Sequence, residues 1–243
     1  MRTLLLAFTA MAGMAACAPA QDSSMDRAEI EEIVREYILE NPEIIEDALI
    51  ELQRRARQRE QDAMLGAINQ ANDVMFGDSR DPSIGPDNAE VTVVEFFDYR
   101  CPYCTVSNEW VQAAKAEHGD RIRFVFKEFP VRGAASTNAA RASLAVWRVA
   151  PGSYEAFHNA LINASGPIPD ERIDAFALNA GVDVAAMRAE MGSADISRQL
   201  DDVEALARAI GITGTPFFIV ENTVIPGADL EGLENALNEA LNG

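Results

Sequence analysis

Two cysteines three residues apart, Cys101-Pro102-Tyr103-Cys104, stand between an apolar run from Val91 to Tyr99 and a stretch of helical periodicity. No other feature constrains the fold as much. A strand that delivers both cysteines to the first turn of a helix brings their sulfurs close enough to bridge. The first then sits among unpaired backbone N–H groups at the positive end of the helix dipole, where its thiolate is favoured. A thiolate that attacks a disulfide, with a second thiol to resolve the mixed disulfide, contains all that thiol–disulfide exchange requires.

The remaining cysteine supports that reading. Arg2 precedes an apolar run from Leu4 to Ala16, the length of a signal-peptide core and too short to span a bilayer. Two processing routes follow it. Ala18-Pro19-Ala20 has the small-x-small pattern of leader cleavage before Gln21, and Met14-Ala15-Ala16-Cys17 resembles a lipobox, in which Cys17 would be lipidated. Either route exports the protein and leaves Cys101 and Cys104 as its free thiols. A secreted structural framework carries more bridges than one three-residue loop, so the pair reads as redox-active. A zinc site needs two further ligands, and only His118 and His158 remain, far apart in sequence. With 39 acidic against 20 basic residues the net charge is −19, which excludes nucleic acid as a partner.

Periodicity divides the rest. Ile30, Ile33, Val34, Tyr37 and Ile38 form one helical face in Asp26–Glu40; Asn41-Pro42 interrupts it, and Ile44, Ile45, Ala48, Leu49 and Leu52 resume it. The Arg-rich stretch 53–62 predicts a polar helical rod. Val91 to Asp98 predicts a buried strand, Cys101 to Glu117 a helix, and Arg121 to Phe129 a second strand. A helical block follows Ala134, then a strand pair around Glu221-Asn222 and a helix over Leu230–Leu241. The parts are a leader over 1–20 (or a lipoprotein signal ending before Cys17), a helical stalk over 22–75, a linker over 76–90, and a main domain over 91–243. The order strand–helix–strand, helices at about 134–205, then strand–strand–helix predicts an α/β, thioredoxin-like fold with an inserted helical domain.

With this order and the motifs Cys101-Pro102-Tyr103-Cys104 and Gly211-Ile212-Thr213-Gly214-Thr215-Pro216, the chain resembles the DsbA family of periplasmic thiol–disulfide oxidoreductases. Its N-terminal extension resembles the ScsC-like branch. The resemblance implies that Cys101, nearer the solvent edge, is the nucleophile and Cys104 the resolving thiol. Pro102 and Tyr103 would tune thiolate stability. Pro216 would occupy the cis-proline loop beside the cysteines and turn the backbone of Thr215 toward an extended client peptide. Glu95, in an apolar strand six residues before Cys101, would be a buried acid relaying the proton of Cys104; the alternative is a residue facing solvent or paired with Lys127. Asp98 reads as solvated. His118, His158, Trp110 and Trp147 read as structural.

The resemblance further implies cysteine-containing envelope proteins as clients, a membrane redox partner and no metal, nucleotide or organic cofactor. The stalk's apolar stripe must be covered, and self-association is the simplest cover; such stalks hold catalytic domains together as oligomers, trimers among them. Oxidase and isomerase or reductase directions stay open. From another class, the same thiols suit a non-catalytic envelope module that binds copper or a protein partner.

Overall fold

The computed structural model describes residues 26–243. The leader and Cys17 lie outside the described residues. Two units divide at Arg57 and Gln58. In the first, helix α1 (Arg27–Glu40) buries no residue, and Asn41 closes it by donating its backbone N–H to Tyr37 O. Helix α2 (Glu43–Gln70) begins one residue after Pro42 and continues through the Arg-rich stretch. Ile33, Val34, Tyr37, Leu49 and Leu52 are all exposed on these helices.

In the second unit, β2 (Val91–Phe97) and β3 (Ile122–Glu128) are the inner, parallel strands of a five-stranded sheet. Its order is β1-β3-β2-β4-β5, where β1 is Ser83–Ile84, β4 Phe217–Val220 and β5 Thr223–Pro226; the other pairings are antiparallel. The period-2 pleat sends alternate side chains to opposite faces. Val93, Phe97, Phe124, Phe126 and Phe218 pack on one core with Trp110 and Val111 of α4 (Pro102–His118), Ala142 of α5 (Ala134–Val149) and Leu161 of α6 (Tyr154–Ile162). Val94, Phe96, Val125, Phe217 and Ile219 enter a second core on the other face. Each such side chain, fully buried, contributes about 1.5–3 kcal/mol. Trp110 fixes the seat of α4, meeting Phe124 and Phe218 edge to face at 6.1 and 6.0 Å.

Helices α7 (Asp170–Asn179), α8 (Val184–Met191) and α9 (Ala194–Ile210) complete the block between β3 and β4. It runs five residues beyond the expected end at 205, because Val203, Ala207 and Ile210 of α9 cover the second face of the sheet. Gly211 stops α9 at φ 89, a left-handed conformation that glycine adopts without strain, and so turns the chain toward Thr215. α10 (Leu230–Asn242) returns to the first core through Leu233 and Leu237.

Two expected boundaries are corrected. Ile68 of α2 and Met75 of α3 (Asn72–Gly77) are 1% and 0% exposed in the second core, so residues 58–75 belong with the sheet and not with a separate stalk. The stretch 76–90 is no simple linker either. It contains β1, and Asp81 in it is buried against the ammonium of Lys127, which also donates to Val74 O. The pleat puts Lys127 inside, and only a carboxylate from elsewhere in the chain compensates its charge. Glycine and proline spacing cannot reveal that partner.

Candidate active site

Strand β2 ends at Phe97, and a turn through Asp98, Tyr99 and Arg100 delivers Cys101 as the N-cap of α4, with its own N–H donated to Asp98 O at 2.9 Å. Pro102 occupies the first helical turn, where its missing N–H costs nothing. Cys101 and Cys104 are both free thiols and both buried. Cys101 and Cys104 are each 1% exposed, and Cys101 is the one that lines a surface cavity. The loop before β4 covers it: the Cys101 thiol donates to the carbonyl oxygen of Thr215 at 3.2 Å, and the Thr215–Pro216 peptide bond is cis. Tyr103 stands out in solvent at 64% exposure. A cavity of about 530 Å³ opens beside the sulfur, lined by Tyr99, Arg100, Cys101, Pro102, Thr105 and the loop from Asn163 to Ile168.

The two sulfurs differ sharply in acidity. The Cys101 thiol is lowered to about 5, first by a hydrogen bond from the Cys104 thiol, then by the Thr215 side chain and the backbone N–H groups of Cys104 and Tyr103, against the opposing effect of burial. Cys104 is pushed far up by burial, by the hydrogen bond it gives to Cys101 and by the nearby Glu95. One negative charge is therefore held by the pair, on the outer sulfur. Glu95 is 4% exposed and its carboxyl is raised to about 8 by burial; the Ser107 hydroxyl, donating at 3.2 Å, offsets part of that rise, and the charge at Cys101 adds to it. Pairing with Lys127 does not occur. Lys127 lies opposite Phe96 in the β2–β3 register, so its side chain leaves the other face of the sheet.

Asp98 was expected in solvent and is 1% exposed. Its Oδ1 accepts the N–H of Arg100 at 2.7 Å and its Oδ2 the N–H of Arg132 at 2.9 Å, so one carboxylate ties the Cys101 turn to the end of β3. Hydrogen bonds to a charged group contribute about 1.5–3 kcal/mol each. Asp98→Ala should therefore lower unfolding stability by about 2–4 kcal/mol in urea titration, and a loss below about 0.5 kcal/mol would show that the tie is not holding the turn.

Glu128, a second buried acid on the α4 face, was not singled out from the sequence. It is 2% exposed, and neither carboxyl oxygen has a hydrogen-bond partner among the described residues. Burial holds its carboxyl well above the usual carboxylate range. Its signal was weak, an acid closing a strand that also carries Arg123 and Lys127, whereas Glu95 stands inside an apolar run. Nearby, Tyr99 binds Ser143 Oγ at 2.8 Å and His158 Nδ1 at 2.9 Å; burial lowers His158 to about 3 and keeps it uncharged. Trp110 donates to Glu234, and Glu117, His118 and Glu234 bring ligand atoms within 4.8 Å of one another at the far end of α4.

Residues 92–238 match the model of the DsbA-like thioredoxin domain. The chain belongs to that family. It is accordingly a thiol–disulfide oxidoreductase, and its DsbA-like span contains the dithiol, Glu95 and the Thr215–Pro216 loop. Residues 26–59, covering α1 and the start of α2, match the N-terminal domain of the copper resistance protein ScsC. The disulfide bond formation protein D of Bacillus subtilis is 28% identical over 188 residues, 72% of this chain and 84% of that protein. A linker-deletion variant of ScsC from Proteus mirabilis superposes with TM-score 0.67 at 25% identity over 91% of this chain and 99% of its own. The thiol–disulfide exchange protein α-DsbA2 from Wolbachia pipientis gives 0.68 at 28% identity, over 74% and 96%. The DsbA-like fold read from the sequence is the fold of these relatives.

Proposed function

We propose that this oxidoreductase exchanges disulfides with cysteine-containing envelope proteins in the periplasm, through Cys101 as nucleophile and Cys104 as resolving thiol. One observation carries this reading: Cys101 Sγ, at the N-cap of α4, lies 3.2 Å from Thr215 O with the free thiol of Cys104 buried one turn further along the helix. The Cys101 thiolate attacks one sulfur of a client disulfide, forming the mixed disulfide and releasing the other client sulfur as a thiolate. The charge at Cys101 is then gone, and with it one of the causes raising Glu95, so Glu95 ionises more readily and takes the proton of Cys104. The Cys104 thiolate attacks Cys101 Sγ, the Cys101–Cys104 bond forms, and the client leaves with both cysteines reduced. The reverse sequence oxidises a client. The electron pair stays on the cysteines, so no metal, nucleotide or organic cofactor is needed. Thr215, Pro216, Pro102 and Tyr103 frame the sulfur and would contact the client backbone.

A periplasmic setting is supported by the leader expected over 1–20 and by likeness to a periplasmic thioredoxin-like protein of Salmonella enterica, at 28% identity. Among the described residues no helix is long and apolar enough to cross a membrane, so lipidation at Cys17 would be the anchor if the second processing route operates. A membrane redox partner would then reset the dithiol. The stripe of Ile33, Tyr37, Leu49 and Leu52, exposed at 48–59%, favours a homo-oligomer formed through the N-terminal helices. Sedimentation of the mature chain should give a multiple of the monomer mass, and a form lacking residues 26–57 should give the monomer; a monomeric mature chain would remove this part of the proposal.

The match of residues 26–59 to a domain named for copper resistance favours one second reading, a non-catalytic module holding Cu(I) on the two thiols. Refolding of a scrambled disulfide substrate decides between them. Turnover supports exchange, whereas absence of turnover with tight stoichiometric copper binding would replace it.

A further inference from the structure

Two cations near the Cys101 turn have side chains that no described residue engages. Among the described residues of 58–243, only Arg59, Arg100 and Arg132 have side chains with neither an ion pair nor a hydrogen bond; every other arginine and lysine there is engaged. Arg100 and Arg132 are also the two residues whose backbone N–H groups bind the single carboxylate of Asp98. That carboxylate is buried and its oxygens face amides, so it fixes the two backbones side by side while both side chains stay exposed. Arg100 lines the cavity that contains Cys101. In a chain of net charge −19, an unengaged guanidinium on the Cys101 cavity, and a second whose backbone is held by the same Asp98 carboxylate, place positive charge next to the turn that presents the reactive sulfur.

We infer that Arg100 and Arg132 select client segments in which acidic residues flank the reacting cysteine. This rests on the exchange reading above and names its substrate class. Guanidinium groups bind carboxylates through paired N–H donors, and charges at a rim act mainly on the rate of encounter. A uniformly acidic protein would repel such a segment, so the pair of arginines steers its approach to Cys101.

The test uses the full mature chain, reduced, and three peptides that differ only at the residues flanking one cysteine: Asp, Asn or Lys. Each carries its cysteine as a mixed disulfide with an aryl thiol. Attack of the Cys101 thiolate on the peptide sulfur forms the Cys101–peptide bond and releases the coloured aryl thiolate, followed by stopped flow. The Asp peptide should react on the order of tenfold faster than the Asn peptide at low salt. That ratio should fall toward one as ionic strength rises and the Debye length contracts. In the Arg100→Gln/Arg132→Gln protein the order should invert, with the Lys peptide fastest, as the net charge alone dictates. An Asp peptide no faster than Asn, or an advantage that survives the double substitution, overturns the inference. If none of the peptides reacts faster than with Cys101→Ser protein, the exchange reading itself fails.

Discussion

Cys101→Ser should lower the rate of disulfide exchange by more than about a thousandfold, because it removes the one sulfur that is ionised at neutral pH. Cys104 cannot take over: burial and the neighbouring Glu95 hold its thiol far above the physiological range. Cys104→Ser should act differently. It leaves a nucleophile without a resolving thiol, so the mixed disulfide accumulates and is seen as client mass retained on the intact protein after alkylation. Cys104→Ala, which has no donor at that position, should in addition remove the largest single cause of the acidity of Cys101, the hydrogen bond from the Cys104 thiol. The midpoint of thiolate absorbance should therefore sit near 5 in the native protein and higher in Cys104→Ala. The sign of the linked stability follows. Cys101 is depressed in the folded state from an ordinary value of 9.0, so the reduced protein is stabilised most above that value and loses the contribution as pH falls toward 5. Exchange by Cys101→Ser protein at the native rate would remove the mechanism.

Glu95→Gln is expected to stabilise the protein at pH 8 by on the order of 3–5 kcal/mol while slowing its chemistry. The folded-state carboxyl is raised from 4.5 to about 8. Between those values the folded chain keeps a proton that the unfolded chain has released, so stability falls as pH rises, by about 1.4 kcal/mol for each pH unit. The glutamine cannot ionise and fills the same space, still accepting from the Ser107 hydroxyl. Denaturant titrations should thus coincide below pH 4 and diverge steadily up to pH 8. Identical curves across that range would mean that Glu95 is not held neutral. Resolution of the mixed disulfide, measured in a single turnover, should slow by on the order of a hundredfold or more, the range for losing one positioned proton acceptor being about 10²–10⁴. An unchanged rate would assign Glu95 to packing alone.

Much of the framework was legible because its causes are local. Two cysteines at a three-residue spacing after Val91–Phe97 read as a helix opening at the end of a strand, and the continuous apolar run Phe217–Val220 reads as a buried strand without help from distant residues. The N-terminal helices and their apolar stripe were legible for the same reason. What could not be read was every feature made by pairing across the chain. Asp98 looks like a loop acid until Arg132, 34 residues away, is seen to donate to it. The stretch 76–90 looks like a linker until Lys127 claims Asp81. The end of α2 looks like stalk until Ile68 enters the second core. Glu128 was passed over because strand ends often carry acids in solvent, and only the packing of α5 and α6 closes it off.

Chain order and periodicity by themselves determined that this protein is DsbA-like, that its dithiol opens α4 and that a helical block separates β3 from β4. Helix position also pointed to the first sulfur as the acidic one; only the tertiary structure decided how covered it is and which groups set its acidity. Spacing acts between residues a few positions apart, whereas acidity depends on burial and on dipoles from any part of the fold; here the oxygen against Cys101 belongs to Thr215, 114 residues further along.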